Sequence, residues 1–292
     1  MLNPVGYDPQ MTTSSSHRRF ARRWMLRIPV AAVLAYLLLM ALVHPSNERD
    51  WNADQARVAT AEIDGDQIRV HNLRNAQYRS ESDFDVHWET RTYDLRQLES
   101  VWYIVEPFAD WRGPAHTFLS FGFADGEYIA ISVEIRKERG ESFSPLLGVL
   151  RQYELAYVIG DERDLIGLRA NHRHDDVYLY PVRTAPERMR ALIVAMLERA
   201  NAVAASPEFY NTLTNTCTSN IVRHINALVP DSVPYSYKTL LPAYSDDLAY
   251  DLGLIDTSLP RESYRAAFQI NQRAARYADQ ADFSARIRSS AP

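Results

Sequence analysis

An α+β fold, an antiparallel sheet packed with helices and preceded by one transmembrane helix, is what this sequence predicts. Three observations carry that expectation. Residues 28–43 (IPVAAVLAYLLLMALV) are apolar without interruption. Residues 116–136 alternate between apolar and mixed positions at period two on either side of Ala124-Asp125-Gly126. Residues 184–205 and 216–229 repeat apolar side chains at helical spacing. With 292 residues, 46% hydrophobic and 24% charged, the chain has the composition of an ordinary globular protein with room for one large domain or two small ones.

Charge is spread unevenly. Residues 1–27 hold five arginines against Asp8 alone, a net +4, and the formal total of −5 leaves −9 for the rest. So acidic a body excludes nucleic acid as a partner, because such binding draws on neutralised phosphates. The apolar run spans about 24 Å at ~1.5 Å per residue, short of a ~30 Å hydrocarbon core. Adding Met25, Leu26 and a snorkelling Arg27 completes a span over residues 25–44. Arginines before it and Glu48, Asp50 and Asp54 after it place a basic tail (1–24) in the cytoplasm and the body in the periplasm. A cleaved signal peptide is the competing reading. The long n-region and the lack of a small-x-small site before His44-Pro45 argue for a retained anchor in the inner membrane.

Residues 45–56 read as a polar linker and 57–257 as the periplasmic domain. RVATAEI and QIRVHNL flank an Asp64-Gly65-Asp66 turn, and FDVHWETRTY alternates as a half-buried strand. SVWYIVEP (100–107) is a buried-strand candidate. In the hairpin that follows, Thr117, Leu119, Phe121 and Phe123 share a face with Ile129, Ile131, Val133 and Ile135. A three-residue loop closed by Phe123 and Glu127, with Gly126 left-handed, makes the apolar faces coincide. That register sets His116 opposite Glu134 and Phe118 opposite Ser132 on the other face. A histidine beside a carboxylate is how an imidazole is oriented and made more basic. The same pair on a solvated face would contribute little.

RQYELAYVIG (151–160) and VYLYPV (177–182) read as further strands. The turn between them, Asn171-His172-Arg173-His174-Asp175-Asp176, has metal-ligand residue types but no partner cluster, and no metal or other cofactor is expected. Thr184–Ala205 is the clearest helix, with Thr184 able to cap it and Met189, Leu192, Ile193, Met196, Leu197, Ala200 and Val203 on one stripe. After Pro207 comes FYNTLTNTCTSNIVRHIN (209–226), where Asn215 or Thr216 can cap a helix stopped by Pro230. A short helix over 242–252, and a C-terminal helix and tail over 258–292, complete the chain.

Cys217 is the only cysteine. Exported proteins use cysteines in pairs, so an unpaired one is a reactive thiol, one half of an intermolecular bridge or a small buried hydrophobe. At a helix start, the dipole favours its thiolate.

The segments 116–145, 151–169, 177–182 and 209–221, in this order, resemble the Lnb N-terminal periplasmic domain family, over roughly residues 75–255. Thr216 departs from the second Asn that many relatives carry before the cysteine. The resemblance implies a circularly permuted papain-like (NlpC-type) thiol fold, with Cys217 as nucleophile and His116 as base. The hairpin register selects Glu134 as the orienting residue, with Ser132 second. Backbone N–H groups beside Thr216 and Cys217, with the Asn215 side chain, are the expected oxyanion donors. The implied activity is that of a cysteine acyltransferase or hydrolase forming an S-acyl-enzyme, acting near inner-membrane lipid on lipid acyl groups or lipoprotein amines. A cell-wall peptidase or amidase acting on peptides, and a non-catalytic envelope binding protein, are the alternatives.

Overall fold

The computed structural model describes residues 15–289. The chain divides into two compact units, Met1–His44 and Pro45–Pro292. In the first, α1 (Ser15–Leu42) is a helix with Pro29 inside it and with Ile28, Val33, Leu34, Leu37 and Leu38 exposed. Among the described residues, no helix is long and apolar enough to cross a membrane. Residues 1–14 of the expected cytoplasmic tail lie outside the described residues.

The second unit is built on one sheet. In chain order its strands are β1 (Thr60–Asp64), β2 (Gln67–Tyr78), β3 (Phe84–Asp94), β4 (Leu98–Pro107), β5 (Ala115–Phe123), β6 (Tyr128–Arg136), β7 (Glu154–Gly160) and β8 (Tyr178–Pro181). They lie in the order β1-β2-β7-β6-β5-β4-β8, with β3 paired to β2. The expected antiparallel sheet holds everywhere but one seam, where β2 meets β7 in parallel at Arg74 and Gly160. A Cβ at Gly160 would stand 2.9 Å from the Arg74 carbonyl oxygen, so only glycine admits this approach.

The β5–β6 hairpin has the expected register, Phe118 opposite Ser132 and Phe121 opposite Ile129. Its loop is closed by Phe123 and Glu127, with Gly126 at φ +87°. The face of His116 is nevertheless not solvated. Phe118, Ser120, Ala130 and Ser132 are as buried as Leu119, Phe121, Ile129 and Ile131. Both faces are covered because elements from distant parts of the chain pack on each.

The helices, in order, are α2 (Pro145–Val149), α3 (Glu162–Gly167), α4 (Pro186–Ala205), α5 (Cys217–Leu228), α6 (Tyr237–Leu240), α7 (Ser245–Asp251), α8 (Tyr264–Ala267), α9 (Asn271–Arg276) and α10 (Phe283–Arg286). On one face, the α4 stripe predicted from its spacing joins Ile221 and Cys217 of α5 over Leu119, Phe121, Ile129 and Ile131. Its N-cap is Ala185, with no side-chain cap, and not Thr184. On the other face, Leu165 and Ile166 of α3, Ala274 of α9 and Phe283 of α10 cover Phe118, Ala130, Ala156 and Val158.

Two segments expected at the periphery belong to the body. In 45–56, read as a linker, Trp51 and Gln55 are buried, and Arg49 pairs with Glu154 at 2.8 Å. The C-terminal segment breaks into α8, α9 and α10 rather than fraying. Arg288 is buried, its guanidinium donating to Glu162 Oε2 at 2.8 Å and standing 4.0 Å from the centre of the Tyr128 ring. An amphipathic tail without strong helical caps finds its partners on the sheet, and tertiary packing sets where it ends.

Candidate active site

Cys217 opens α5, and the cap in front of it is complete. The Thr216 hydroxyl accepts from Ser219 N–H at 3.1 Å, and the Ser219 hydroxyl accepts from Thr216 N–H at 2.7 Å. This reciprocal pair fixes the first turn and the direction in which Cys217 leaves it. The preceding loop is tied by Asn215, whose amide donates to Phe209 O at 3.0 Å while its oxygen accepts from Asn220 at 2.9 Å. Asn215 thus braces the loop behind the cysteine, and its amide group is engaged there.

His116 lies near the start of β5, half-buried and stacked on Phe118 at 5.5 Å. Its Nε2 is 2.7 Å from Ser132 Oγ, and Ser132 Oγ–H donates to Glu134 Oε1 at 2.8 Å. A hydroxyl has one proton, and here it goes to the carboxylate. The bond from the ring must therefore run the other way, Nε2–H to Ser132 Oγ. That sets the neutral tautomer and leaves Nδ1 as the basic nitrogen, and His116 and Cys217 lie close enough to shift each other's titration. Glu134 also stands 3.6 Å from Nε2 directly. Ser132 and Glu134, set against each other as alternatives by the register, act in series.

Next to this pair, Thr117 Oγ1 and Thr218 Oγ1 are hydrogen-bonded at 2.9 Å, joining β5 to α5 one residue from each reactive group.

Burial pushes the Cys217 thiol up, but the His116 hydrogen bond and charge, then the Thr117 backbone and side chain, outweigh it and bring the thiol to about 7. Burial pushes His116 down, and the influence of the neighbouring Cys217 sulfur and of Glu134 outweighs that, holding it at about 9. Burial opposes the charge on Glu134 as well, yet Arg169 and then His116 keep it well below the usual carboxylate range. Between these limits the pair is thiolate–imidazolium, and the two groups titrate as a unit.

Two residues of this array carried no functional signal in the sequence. Arg169, fully enclosed, donates to Glu134 Oε1 and to Leu165 O at 2.9 and 2.7 Å, and its Nε reaches Glu106. Glu106 is the penultimate residue of β4, and its other oxygen faces Arg173 Nη1 at 3.7 Å. Asp175 is pushed up to about 7 by burial and by the neighbouring Glu106 carboxylate. Arg169 sits in a single turn of π-helix, Leu168–His172, which turns it inward. A charge inside an apolar run such as DLIGLRA is the available signal, since a buried charge requires a partner. Arg173 and Asp175 belong to the turn considered above for a metal. Among the described residues no group of His, Cys, Asp and Glu is placed to hold one.

Cys217, His116, Glu134, Arg169, Asp175 and Thr216 line one cleft of about 590 Å³. A second, apolar cavity of about 160 Å³ is lined by Thr218 and Ile221 of α5 together with Leu119, Leu192 and Leu248.

The thiol's pH dependence is directly measurable. The rate at which iodoacetamide alkylates the folded chain is expected to rise with pH through about 7, the pH at which thiol becomes thiolate. In His116→Ala the midpoint moves up, to or above the ~8.5 of a free cysteine. A wild-type midpoint already there would contradict the pairing.

The family model of the Lnb N-terminal periplasmic domain matches residues 84–243, more than half the chain and all the residues of this array. No curated protein and no solved structure matches the chain.

Proposed function

The chain belongs to the Lnb N-terminal periplasmic domain family, and from that premise we propose a membrane-anchored thiol acyltransferase or hydrolase working through an S-acyl-enzyme. The observation that carries this reading is the Cys217–His116–Ser132–Glu134 series, with its tautomer set by one hydroxyl proton. A histidine strand ahead of a cysteine helix, with α5 packed on β5 and β6, is the order of a permuted papain-like fold.

With the Cys217 proton already held on His116 Nδ1, the sulfur adds to an ester or amide carbonyl carbon. The first-turn N–H of Cys217, which has no acceptor within the helix, faces the developing oxyanion. As the carbon–oxygen or carbon–nitrogen bond breaks, the imidazolium returns the proton to the departing alcohol or amine, leaving a thioester. Water or an amine then gives its proton to His116 as it attacks, and the sulfur leaves as thiolate to restore the ion pair.

The apolar run of α1 serves as the anchor in this reading, since exposed side chains such as Leu34, Leu37 and Leu38 have their natural solvent in lipid. The body is periplasmic, as its family's domain is. The apolar cavity beside Thr218 favours a fatty acyl group. The arginines and carboxylates of the cleft favour a charged peptide, and they are what keeps the peptidase or amidase reading in play.

The test is to offer the detergent-solubilised chain p-nitrophenyl esters of short and long acyl acids, and an amide-linked peptide, then quench in acid and weigh the intact protein. An acyl adduct that hydroxylamine removes and Cys217→Ala lacks is the expected result. The preferred donor separates the fatty acyl from the peptide reading. If no donor forms an adduct while iodoacetamide still alkylates Cys217, the chain is a binding protein and the proposal fails.

A further inference from the structure

Six of the large apolar side chains left open to water on the body stand around the mouth of the cleft. Trp111 (58% exposed) and Phe108 stand in the β4–β5 connection, and Phe143 and Leu146 (67%) between β6 and β7. Leu213 (55%) tops the loop before α5, and Leu240 ends α6. These loops form one rim. The Phe108 and Phe143 rings meet edge to face at 6.1 Å. Thr212 Oγ1 donates to Pro145 O at 2.8 Å, and Ala243 N–H to Gly113 O at 3.0 Å. Phe108, Trp111, Phe143 and Leu240 share the cleft wall with Cys217. A continuous exposed apolar rim around a cleft marks a binding surface rather than ordinary scatter.

An independent observation says what covers it. Because β4 to β7 run antiparallel, the end of β4, the start of β5, the end of β6 and the start of β7 lie at one end of the sheet. The body's first residues are fixed at that same end. Ser46 N–H donates to Glu154 Oε1 at 3.1 Å at the start of β7, and Asn52 N–H to Lys137 O at 3.0 Å just past β6. The apolar run closes at Val43, so only His44 and Pro45 separate it from a residue already bonded to the body. At ~3.3–3.6 Å per residue, that leash is about 10 Å.

We propose that this rim is a bilayer-docking surface: with residues 28–43 in the membrane, the leash holds the cleft end of the sheet against the lipid. Trp111 takes the interfacial position that suits an amphipathic ring, and Leu146 and Leu213 enter the headgroup–acyl boundary. The cleft then opens on the bilayer, and a substrate reaches Cys217 from lipid without crossing water. This rests on the anchored reading of α1 and on no step of the chemistry.

The test uses the full chain carrying Cys217→Ser, with a new cysteine at Leu146→Cys, at Leu213→Cys or, at the opposite end of the sheet, in the β5–β6 turn at Asp125→Cys. Each is labelled with acrylodan and reconstituted into phosphatidylethanolamine–phosphatidylglycerol vesicles with and without lipid-borne nitroxide. Positions 146 and 213 are expected to emit at shorter wavelength than 125 and to lose intensity to the nitroxide, while 125 does neither. Three positions that behave alike overturn the proposal. So does a blue shift at 146 and 213 that follows protein density and ignores the nitroxide, which would assign the rim to a second copy of the chain. Docking without any acyl adduct in the donor experiment would sink the catalytic reading alone. An adduct with a rim exposed to water would sink this one alone.

Discussion

In the proposed mechanism, Cys217→Ala is expected to remove acyl-enzyme formation outright and to lower turnover by about 10⁴-fold or more, because the thioester forms on its sulfur. At ~1.4 kcal/mol per decade, that is about 5.5 kcal/mol of transition-state stabilisation. His116→Ala falls nearly as far, by ~10²–10⁴ for the lost proton transfer and further for a thiol restored to its protonated form at neutral pH. The two losses do not add, since the sulfur and the imidazole act as one ion pair, and the double variant is expected to match the worse single one. Circular dichroism and urea midpoints should be nearly unchanged for Cys217→Ala, which deletes one small side chain from a helix start. Turnover measured as release of p-nitrophenol checks the set. Variants that retain wild-type turnover would return Cys217 to the role of a buried hydrophobe.

Arg169→Met carries the second large effect, and it acts on both stability and pH profile. Arg169 bridges Glu134 and Glu106 inside the protein. Removing one member of such a buried set leaves the others without a countercharge and costs ~3–5 kcal/mol. The sign with pH follows from Glu134. In the native protein its carboxyl is held well below the ordinary value, so it contributes stability that is present above the ordinary Glu range and lost only as pH falls through that depressed value. In Arg169→Met, burial goes unopposed by the guanidinium, and Glu134 moves upward. The deficit relative to wild type is then largest near neutral pH and narrows on acidification, as Glu134 takes a proton. Urea unfolding at pH 7 and at pH 4.5 reads the difference. With Glu134 protonated, His116 also loses the charge that raises it, and the alkylation midpoint of Cys217 climbs. Arg169→Lys keeps a charge but not the planar fork that reaches both carboxylates. It should recover part of the alkylation profile and less of the stability. A merely space-filling Arg169 would leave the alkylation midpoint where it is.

The hairpin shows how much of this site was legible in sequence. A two-residue period and one left-handed glycine place Phe118 against Ser132 and bring His116, Ser132 and Glu134 to one face, because a slip of one residue would turn every side chain over. The helix of Cys217 was legible for a similar reason, through a capping threonine and a 3.6-residue stripe. What escaped was set by contacts remote along the chain. Burial on the His116 face comes from α3, α9 and α10, whose apolar residues carry no address. The parallel contact of β2 with β7 rests on the absence of a Cβ at Gly160. Arg169 is turned inward by a π-turn that its own segment does not announce, and the linker looked free until Trp51 and Arg49 found β6 and β7. In each case local propensity describes the element and tertiary packing decides its surroundings.

The hydroxyl pair Thr117–Thr218 has one more consequence. Each partner is the immediate neighbour of a reactive residue, so the span between sulfur and imidazole is gauged by a strut one residue long. Domain closure, or any rearrangement that assembles the pair on substrate arrival, would have to break that strut inside a dry wall where neither oxygen finds water. In the proposed mechanism the nucleophile is therefore armed before any ligand arrives, and discrimination between substrates falls to the loops of the rim, which can shift without detuning the thiolate beneath them.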